Sequence, residues 1–455
     1  MTHNTETISL IGAGLTGPLL ALGLIKRGFR VEIYERRPDM RQVRIGAGRS
    51  INLALSTRGI YALSQARLWN EMRGIVIPMK GRMMHSASSA LTFQPYGKDE
   101  AEVIYSISRA ELNIALMNAA ERQGAKIHFQ QRCTGIDLKT GSVQFKDERS
   151  GEERTIESSV VIGCDGSASA IRSEMLKLSR FNFSQQYLDY GYKEMTISAG
   201  PNGKHVLETN ALHIWPRGNH MLIALPNVDG TFASILFLPF EGVDSFAKLT
   251  TPSAVIQFFQ SRFPDAVPVM PNLADNFFAN PTGSMVTIKC LPWHVEGRVL
   301  LLGDSAHAIV PFFGQGINCG FEDCTFLLAL IDQYGADWNR VFTEFEEVRK
   351  INTDAIADLA VENFVEMRDR VAAPRFLFRK KVELALEEKY PRLFVPKYAM
   401  VTFHRIPYAT ALKRGQVQDL MLTELCDRIE RIEDLDWNQA DKLIRSQLTP
   451  LEMVA

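Results

Sequence analysis

The residues best able to hold a ligand begin with a glycine turn, Gly12-Ala13-Gly14-Leu15-Thr16-Gly17, and with Glu35, 18 residues beyond its last glycine. Gly12 allows a tight turn, Gly14 lets backbone approach a pyrophosphate, and Gly17 lets a helix pack closely on a strand. The helix that follows offers free N–H groups and the positive end of its dipole to phosphate oxygens. Glu35 is placed to accept from a ribose hydroxyl. A carboxylate there repels a 2′-phosphate, so the spacing points to FAD or NAD rather than NADP.

Two later stretches carry the same kind of chemistry. Asp165-Gly166 closes an apolar run and precedes Ser169 and Arg172; Asp165 is read either as a helix cap or as a ligand group. Gly303-Asp304 closes Val299-Leu300-Leu301-Leu302, and after Pro311 the residues Phe312-Phe313-Gly314-Gln315-Gly316-Ile317-Asn318 open another helix. This gives a second set of unpaired N–H groups and a carboxylate suited to a ribityl hydroxyl. A short nucleotide does not need two cradles, whereas FAD uses one at its pyrophosphate and one at its flavin end.

Other candidates stay open on residue type alone. Arg36 and Arg37 either form a solvated loop or flank the adenosine end. Arg82 is a surface ion pair or a clamp, Tyr96 adds a hydroxyl on an aromatic body, and His85 reads as an ordinary polar residue. Arg109 stands at a strand–helix junction on the edge expected for the pyrophosphate. His307 follows a buried strand and suits a structural hydrogen bond better than general-base work. Asn363 and Met367 lie four apart on one helix face, Asn363 being either a ligand group or a core amide.

These residues need elements to position them. Ile8–Ile11, the apolar helix that ends before Gly28, and Arg30–Tyr34 form a strand–helix–strand unit. A half-exposed strand is expected over 46–56, with a helix from Thr57 to Trp69. Gly81–His85 and Leu91–Gly97 read as a hairpin lining whatever pocket forms at the domain junction. A strand ends at Arg109, a helix covers Glu111–Gln123, and a strand covers Lys126–Gln130. From Phe183 to Phe278 short strands between Gly, Asn, Asp and Pro turns predict an antiparallel sheet interrupted by one helix, Pro252–Phe263. From Trp338 the chain reads as helical, broken at Pro374, at Tyr390-Pro391 and over Val395–Phe403. The tail Asp419–Ser446 reads as a charged amphipathic helix.

The expected class is α/β: a Rossmann-like FAD-binding domain from residues 1–72, 101–182 and 280–345, an antiparallel β-sheet substrate domain from 73–100 and 183–279, and a C-terminal helical region over 346–455. With 51 basic and 52 acidic residues the net charge is −1, which gives no electrostatic case for nucleic acid or an anionic membrane. Six cysteines without C-x-x-C spacing read as buried thiols in a reducing compartment, with no metal site. No stretch reaches the ~20 apolar residues of a membrane span. The polar start leads directly into the first strand, so a cytoplasmic protein without a signal peptide is expected.

In order and spacing, the three glycine-containing motifs resemble the single-component flavin hydroxylases of the para-hydroxybenzoate hydroxylase fold. More narrowly, Gly48-Arg49-Ser50-Ile51-Asn52-Leu53-Ala54-Leu55, Gly81-Arg82-Met83, Gln94-Pro95-Tyr96-Gly97, Pro311–Gly316, Glu362–Met367 and Tyr398–Phe403 resemble the kynurenine 3-monooxygenase family over nearly the whole chain. The end departs from animal and fungal members, which carry a hydrophobic membrane-anchoring tail, so the resemblance is to soluble bacterial members.

The resemblance implies bound FAD, transient NADPH without a second Rossmann site, O2, and hydroxylation of L-kynurenine to 3-hydroxykynurenine through a flavin C4a-hydroperoxide. The cofactor carries the chemistry and no side-chain base is required. It also implies that Arg82, Tyr96 and Tyr398 hold the substrate carboxylate, that Asn363 serves the amino-acid end, and that Phe312 and Phe313 form an apolar wall with Met367 nearby. FAD would be held by Leu15, Glu35, Arg36, Arg37, Ala54, Arg109, Asp165, Asp304, Ile317 and Asn318, beside Gly12, Gly14, Gly17 and Gly316. A monomer or weak homodimer is expected. The alternatives are a hydroxylase of another aromatic carboxylic acid and a non-catalytic flavin redox sensor.

Overall fold

A computed structural model describes residues 6–42, 52–369, 373–427 and 429–452. It divides into two compact units, Met1–Val76 with Ile107–Leu188 and Ser284–Ala357, and Ile77–Ser106 with Asp189–Gly283 and Asp358–Ala455.

The first unit is built on a sheet of order His294–Val295, Val299–Leu301, Val160–Gly163, Thr7–Ile11, Arg30–Tyr34, Lys126–His128. Every pairing is parallel except the one between His294–Val295 and Val299–Leu301. Its central strands are covered on both faces: Ile8, Leu10, Val160, Val161 and Ile162 are all buried, which is why they read as near-continuous apolar runs. The crossover helix Thr16–Lys26 buries Leu19, Leu20, Leu22 and Leu24. A small antiparallel sheet of Gln131–Ile136, Val143–Asp147 and Glu153–Ile156 joins this unit. Sequence reasoning passed over it, although Asp137 and Asp147 mark its turns by accepting from the backbone N–H groups two and three residues on.

In the second unit the sheet runs Asn182–Ile197, Phe232–Pro239, Met221–Pro226, Ala211–Pro216, Gly81–His85, Leu91–Pro95. The expected hairpin is present. It joins through a parallel pairing of Gly81–His85 with Ala211–Pro216, the exception in an otherwise antiparallel run. One face packs Trp215, Leu222, Phe232 and Leu236 against Val255 and Phe259 of the helix Pro252–Arg262 and Phe277 of the helix Leu273–Ala279. The C-terminal helices Pro374–Lys389, Tyr408–Cys426 and Trp437–Gln447 share a core of Val382, Leu386, Met421, Leu422, Ala440 and Ile444.

Four local expectations are corrected. The helix predicted over Thr57–Trp69 stops at Gln65, because Arg67 turns to φ 60°, and a separate turn covers Trp69–Met72. Leu273–Ala279 adds a second helix where one was expected. Within the break predicted at Val395–Phe403, Lys397–Thr402 is helical, starting directly after Pro396 as a helix N-terminus permits. The single tail helix is two, the later one begun by Asp436, whose carboxylate accepts from Asn438 and Gln439 N–H. Of the strand expected over 46–56, Asn52–Leu55 is observed and residues 46–51 lie outside the described residues. All six cysteines are free, and five are buried. Among the described residues no helix is long and apolar enough to cross a membrane.

Candidate functional site

In the first unit the glycine turn is as constrained as its spacing suggests. Gly12 has φ +107°, and a Cβ there would lie 2.5 Å from the Cys164 carbonyl oxygen. A Cβ on Gly17 would lie 2.2 Å from the Gly12 carbonyl oxygen, whereas one on Gly14 would meet nothing within 4 Å. The turn therefore packs on itself at two glycines and stands open at the third, the arrangement a pyrophosphate cradle needs. The following helix has Leu15 at its N-cap and no side-chain cap.

Glu35 is buried and braces this turn. Its Oε2 accepts from Ala13 N–H at 2.9 Å, and its Oε1 accepts from the Arg37 backbone N–H and Nε, each at 2.9 Å. Oε2, with one donor, keeps a second lone pair for a ribose hydroxyl. Arg37 is thus tied back to Glu35 with its side chain mostly exposed, and Arg36 is exposed. Arg109 is the exposed first residue of the helix Arg109–Arg122.

Asp165 does cap: its Oδ2 accepts from Ala170 N–H at 2.7 Å. Its Oδ1 is buried without a partner among the described residues, and burial raises the carboxyl above its usual range. Ser169 caps the same helix through Arg172 N–H. Arg172 donates to the Ser305 carbonyl at 2.7 Å and to that of Ser167, locking the Asp165 loop to the Gly303-Asp304 loop.

The second cradle lies against the first. Gly303, at φ +67°, stands so close to Thr16 that a Cβ would be 3.3 Å from its hydroxyl, and Cys324 donates to the Thr16 carbonyl. Asp304 is exposed at the start of the turn Asp304–His307. Phe312 and Phe313 are buried in a short 3-10 turn that ends at Gly314, φ +65°. The helix then starts at Gly316, with Ile317 half-buried. Asn318 is fully buried, and its side chain is a stitch: Oδ1 accepts from Ser56 N–H at 2.9 Å, while Nδ2 donates to the Ala54 and Gly314 carbonyls at 2.9 and 2.8 Å. The side chain so occupied leaves its backbone N–H, in the first turn, as the group for a ligand. Two adjoining amide ends, one open glycine and an unsatisfied buried carboxylate oxygen fit FAD.

Beneath this cradle lies a charge network that sequence reasoning missed. Arg349 donates to Asp323 Oδ1 at 2.7 Å and Glu322 Oε2 at 2.6 Å, Arg58 pairs with Glu322, and His307 Nε2 lies 2.6 Å from Asp323 Oδ2, which also accepts from Gly303 N–H. All five side chains are buried. Burial works against a charged His307, but the Asp323 carboxylate outweighs it and raises the imidazole to about 10. His307 therefore has the structural role expected. His307, Cys319 and Asp323 have the ligand types and closeness of a metal site, but the Arg349 guanidinium donates to both Asp323 and Cys319 Sγ and would face any cation there. The signal available in the sequence was Glu322-Asp323 inside an apolar helix, since adjacent buried acids need cationic partners.

In the second unit Arg82, Tyr96 and Tyr398 come together. The Arg82 guanidinium carbon lies 5.5 Å from the Tyr96 ring centroid and 5.0 Å from that of Tyr398, and the two rings stack at 5.6 Å and 10°. Arg82 Nε and Tyr96 Oη are shut off from solvent and make no hydrogen bond among the described residues. Burial opposes the charge on Arg82, but Tyr398, Tyr96 and the Glu366 carboxylate outweigh it, so it stays a guanidinium. Burial and Tyr398 push the Tyr96 hydroxyl up, keeping it a donor. Asn363 and Met367, both buried, touch each other through Nδ2 and Sδ at 3.4 Å on the helix that carries Glu366. A guanidinium beside two phenols has the donors to receive a carboxylate.

The FAD binding domain family matches residues 4–334. A curated protein named kynurenine 3-monooxygenase, from Myxococcus xanthus (strain DK1622), is 53% identical over 446 residues, 98% of this chain and 96% of its own length. One of the same name from Dictyostelium discoideum is 45% identical, covering 97% of this chain and 98% of its own. Among solved structures, 2-methyl-3-hydroxypyridine-5-carboxylic acid oxygenase has a TM-score of 0.67 at 17% identity, over 82% of this chain and 96% of its own. The p-nitrophenol 4-monooxygenase of Pseudomonas putida DLL-E4 has a TM-score of 0.67 at 16% identity, over 85% and 94%. At that identity the two structures speak for the fold alone.

Proposed function

Because this chain belongs to the kynurenine 3-monooxygenase family of FAD-dependent monooxygenases, we propose that its first unit holds FAD through the two amide cradles and its second unit holds the L-kynurenine carboxylate on Arg82. In the first unit the N–H groups from Gly14 to Gly17 and the helix dipole serve the pyrophosphate, and Glu35 serves a ribose hydroxyl. Arg36, Arg37, Arg109 and Asp165 flank the nucleotide. Asp304 serves the ribityl chain, and the backbone around Ala54, Gly316, Ile317 and Asn318 serves the pyrimidine end of the ring. FAD, when reduced by NADPH, supplies the activation of O2.

The chain's own part is to bind, orient and exclude water. Arg82 takes the carboxylate through paired N–H donors while the Tyr96 and Tyr398 hydroxyls donate to the same group. Asn363 takes the amino-acid end. Phe312 and Phe313 of the first unit supply apolar surface on the flavin side, and Met367 of the second supplies apolar surface on the substrate side, each of the kind that keeps water from a reacting ring. The aniline ring of kynurenine is already electron-rich, so no side chain has to remove a proton for the ring to attack. The same reading makes the protein a cytoplasmic enzyme, monomeric or a weak homodimer, that acts on a small molecule.

The observation that carries this reading is the pair of buried donors, Arg82 Nε and Tyr96 Oη, that find no partner among the described residues. An unpaired buried polar group costs roughly 1–3 kcal/mol, which a bound carboxylate would relieve. Arg82→Ala should raise the KM for L-kynurenine about 30-fold or more while the protein purifies yellow with its full FAD content. A KM unchanged by the substitution would count against the assignment.

A further inference from the structure

On the opposite face of the strand that carries Arg82 lies a buried row of titratable side chains that the reaction does not use. His85 Nδ1 is 2.7 Å from Asp265 Oδ2, His85 Nε2 is 2.9 Å from His213 Nδ1, and His213 Nε2 is 2.8 Å from the Glu208 carbonyl oxygen. His85 and His213 are 3% and 1% exposed, so water is not available to replace a lost hydrogen bond. The same Asp265 oxygen accepts from Trp215 Nε1 at 2.8 Å, and the His85 ring stacks on Trp215 at 3.8 Å.

The row can be counted in protons. A carbonyl oxygen only accepts, so His213 Nε2 carries hydrogen; a neutral His213 then offers Nδ1 as an acceptor, and His85 Nε2 must donate to it. A neutral His85 would now turn a bare Nδ1 toward a carboxylate, acceptor against acceptor. The contacts with Asp265, His213 and Glu208 each require one hydrogen, and two neutral imidazoles bring one each. The remaining proton comes from solvent, and gaining it leaves an imidazolium beside a carboxylate.

We propose that Asp265, His85 and His213 form a proton-bearing brace that fixes the strand Gly81–His85 on the sheet and so positions Arg82 for the substrate carboxylate. This rests on the reading of Arg82 as the carboxylate clamp. Arg82 and His85 are three residues apart on one strand, with Arg82 in register with Leu212 and Met83 with His213. His85 and His213 therefore share one face, while Arg82 points from the other. A shift of the brace moves Arg82 through the backbone between them.

The charged and titratable groups facing the brace are consistent with the count. Burial lowers His213 to about 4, which leaves the extra proton with His85 and Asp265. Burial opposes ionisation of Asp265, but the hydrogen bonds from His85 and Trp215 outweigh it and hold the carboxyl below its usual value. Arg217 donates to the His85 carbonyl at 2.9 Å, and its charge acts on Asp265. The Glu208 carboxylate acts on His213.

Asp265→Asn separates the proton from the packing. A side-chain amide turned so that its NH2 donates to His85 Nδ1 keeps all three contacts of the row with both rings neutral, and gives up only the bond from Trp215 Nε1, which then faces a donor. Long-range proton–nitrogen NMR of the holoenzyme labelled at histidine nitrogen should show, at pH 7, a buried ring protonated at both nitrogens besides His307, and this second ring should disappear in Asp265→Asn. His85→Leu should raise the KM for L-kynurenine about tenfold with kcat within about twofold and FAD content unchanged. A wild-type spectrum at pH 7 in which no buried ring besides His307 is protonated at both nitrogens would overturn the brace, even if no variant folds. If Arg82→Ala raises KM and His85→Leu does not, the brace alone fails; if neither does, the carboxylate reading fails.

Discussion

Gly14 and Gly17 sit three positions apart in one turn, and a methyl group added at each meets a different surrounding. At Gly17 it meets backbone at 2.2 Å, which no side-chain motion relieves, so Gly17→Ala should cost about 1–3 kcal/mol in chemical denaturation of the apoprotein. At Gly14 the described residues offer no obstacle, so Gly14→Ala should leave apoprotein stability within about 1 kcal/mol. Its FAD affinity should nevertheless fall tenfold or more by fluorescence titration, and unaltered FAD binding would remove Gly14 from the cradle. His307 tests the network beneath. Its folded value of about 10 lies above the ~6.5 of an unfolded histidine. The stabilisation from charged His307 is therefore fully present below pH ~6.5 and is lost as pH rises toward 10, on the order of a few kcal/mol. Denaturation midpoints of wild type and His307→Gln should converge over that window; a constant gap would show that His307 does not carry the charge.

At the scale of elements, Arg349 of the helix Trp338–Asp369 holds Glu322 and Asp323 of the helix Gly316–Tyr334, and Glu322 in turn holds Arg58 of Thr57–Gln65. Arg349→Met leaves two buried carboxylates short of a partner and should cost about 3–5 kcal/mol, measured by denaturant midpoint. Ile444→Ala in the helix Trp437–Gln447 should cost about 2–4 kcal/mol by opening the C-terminal core. Elements set by local pattern were legible in the sequence: the strand–glycine turn–helix start and the hairpin around Arg82 each follow from residues within a few positions. The ends of helices were less so, since Arg67 adopts a positive φ that no residue type announces. The network was not legible, because Arg58 and Glu322 are 264 residues apart and only the folded chain brings them together. Arg82 drew its odds from resemblance, since its ring partner Tyr398 lies far along the chain; the same distance hid the row of His85, His213 and Asp265.

For the molecule as a whole, a net charge of −1 gives no long-range attraction for the carboxylate of a zwitterionic amino acid. On the proposed reading, recognition of the carboxylate is then a local matter, concentrated on Arg82 and its two phenols in the second unit. FAD retention is the separate task of the first unit, so variants in the two sets should divide cleanly between substrate and cofactor defects. The most direct test compares L-kynurenine with kynuramine, the same aryl ketone and amine without the carboxylate, in wild type and Arg82→Ala holoenzyme. The expected kcat/KM for product formation favours L-kynurenine by about 100-fold or more in wild type, the scale of losing a charge-assisted pair of hydrogen bonds, and by less than about threefold in Arg82→Ala. Equal preference in the two proteins would contradict the account.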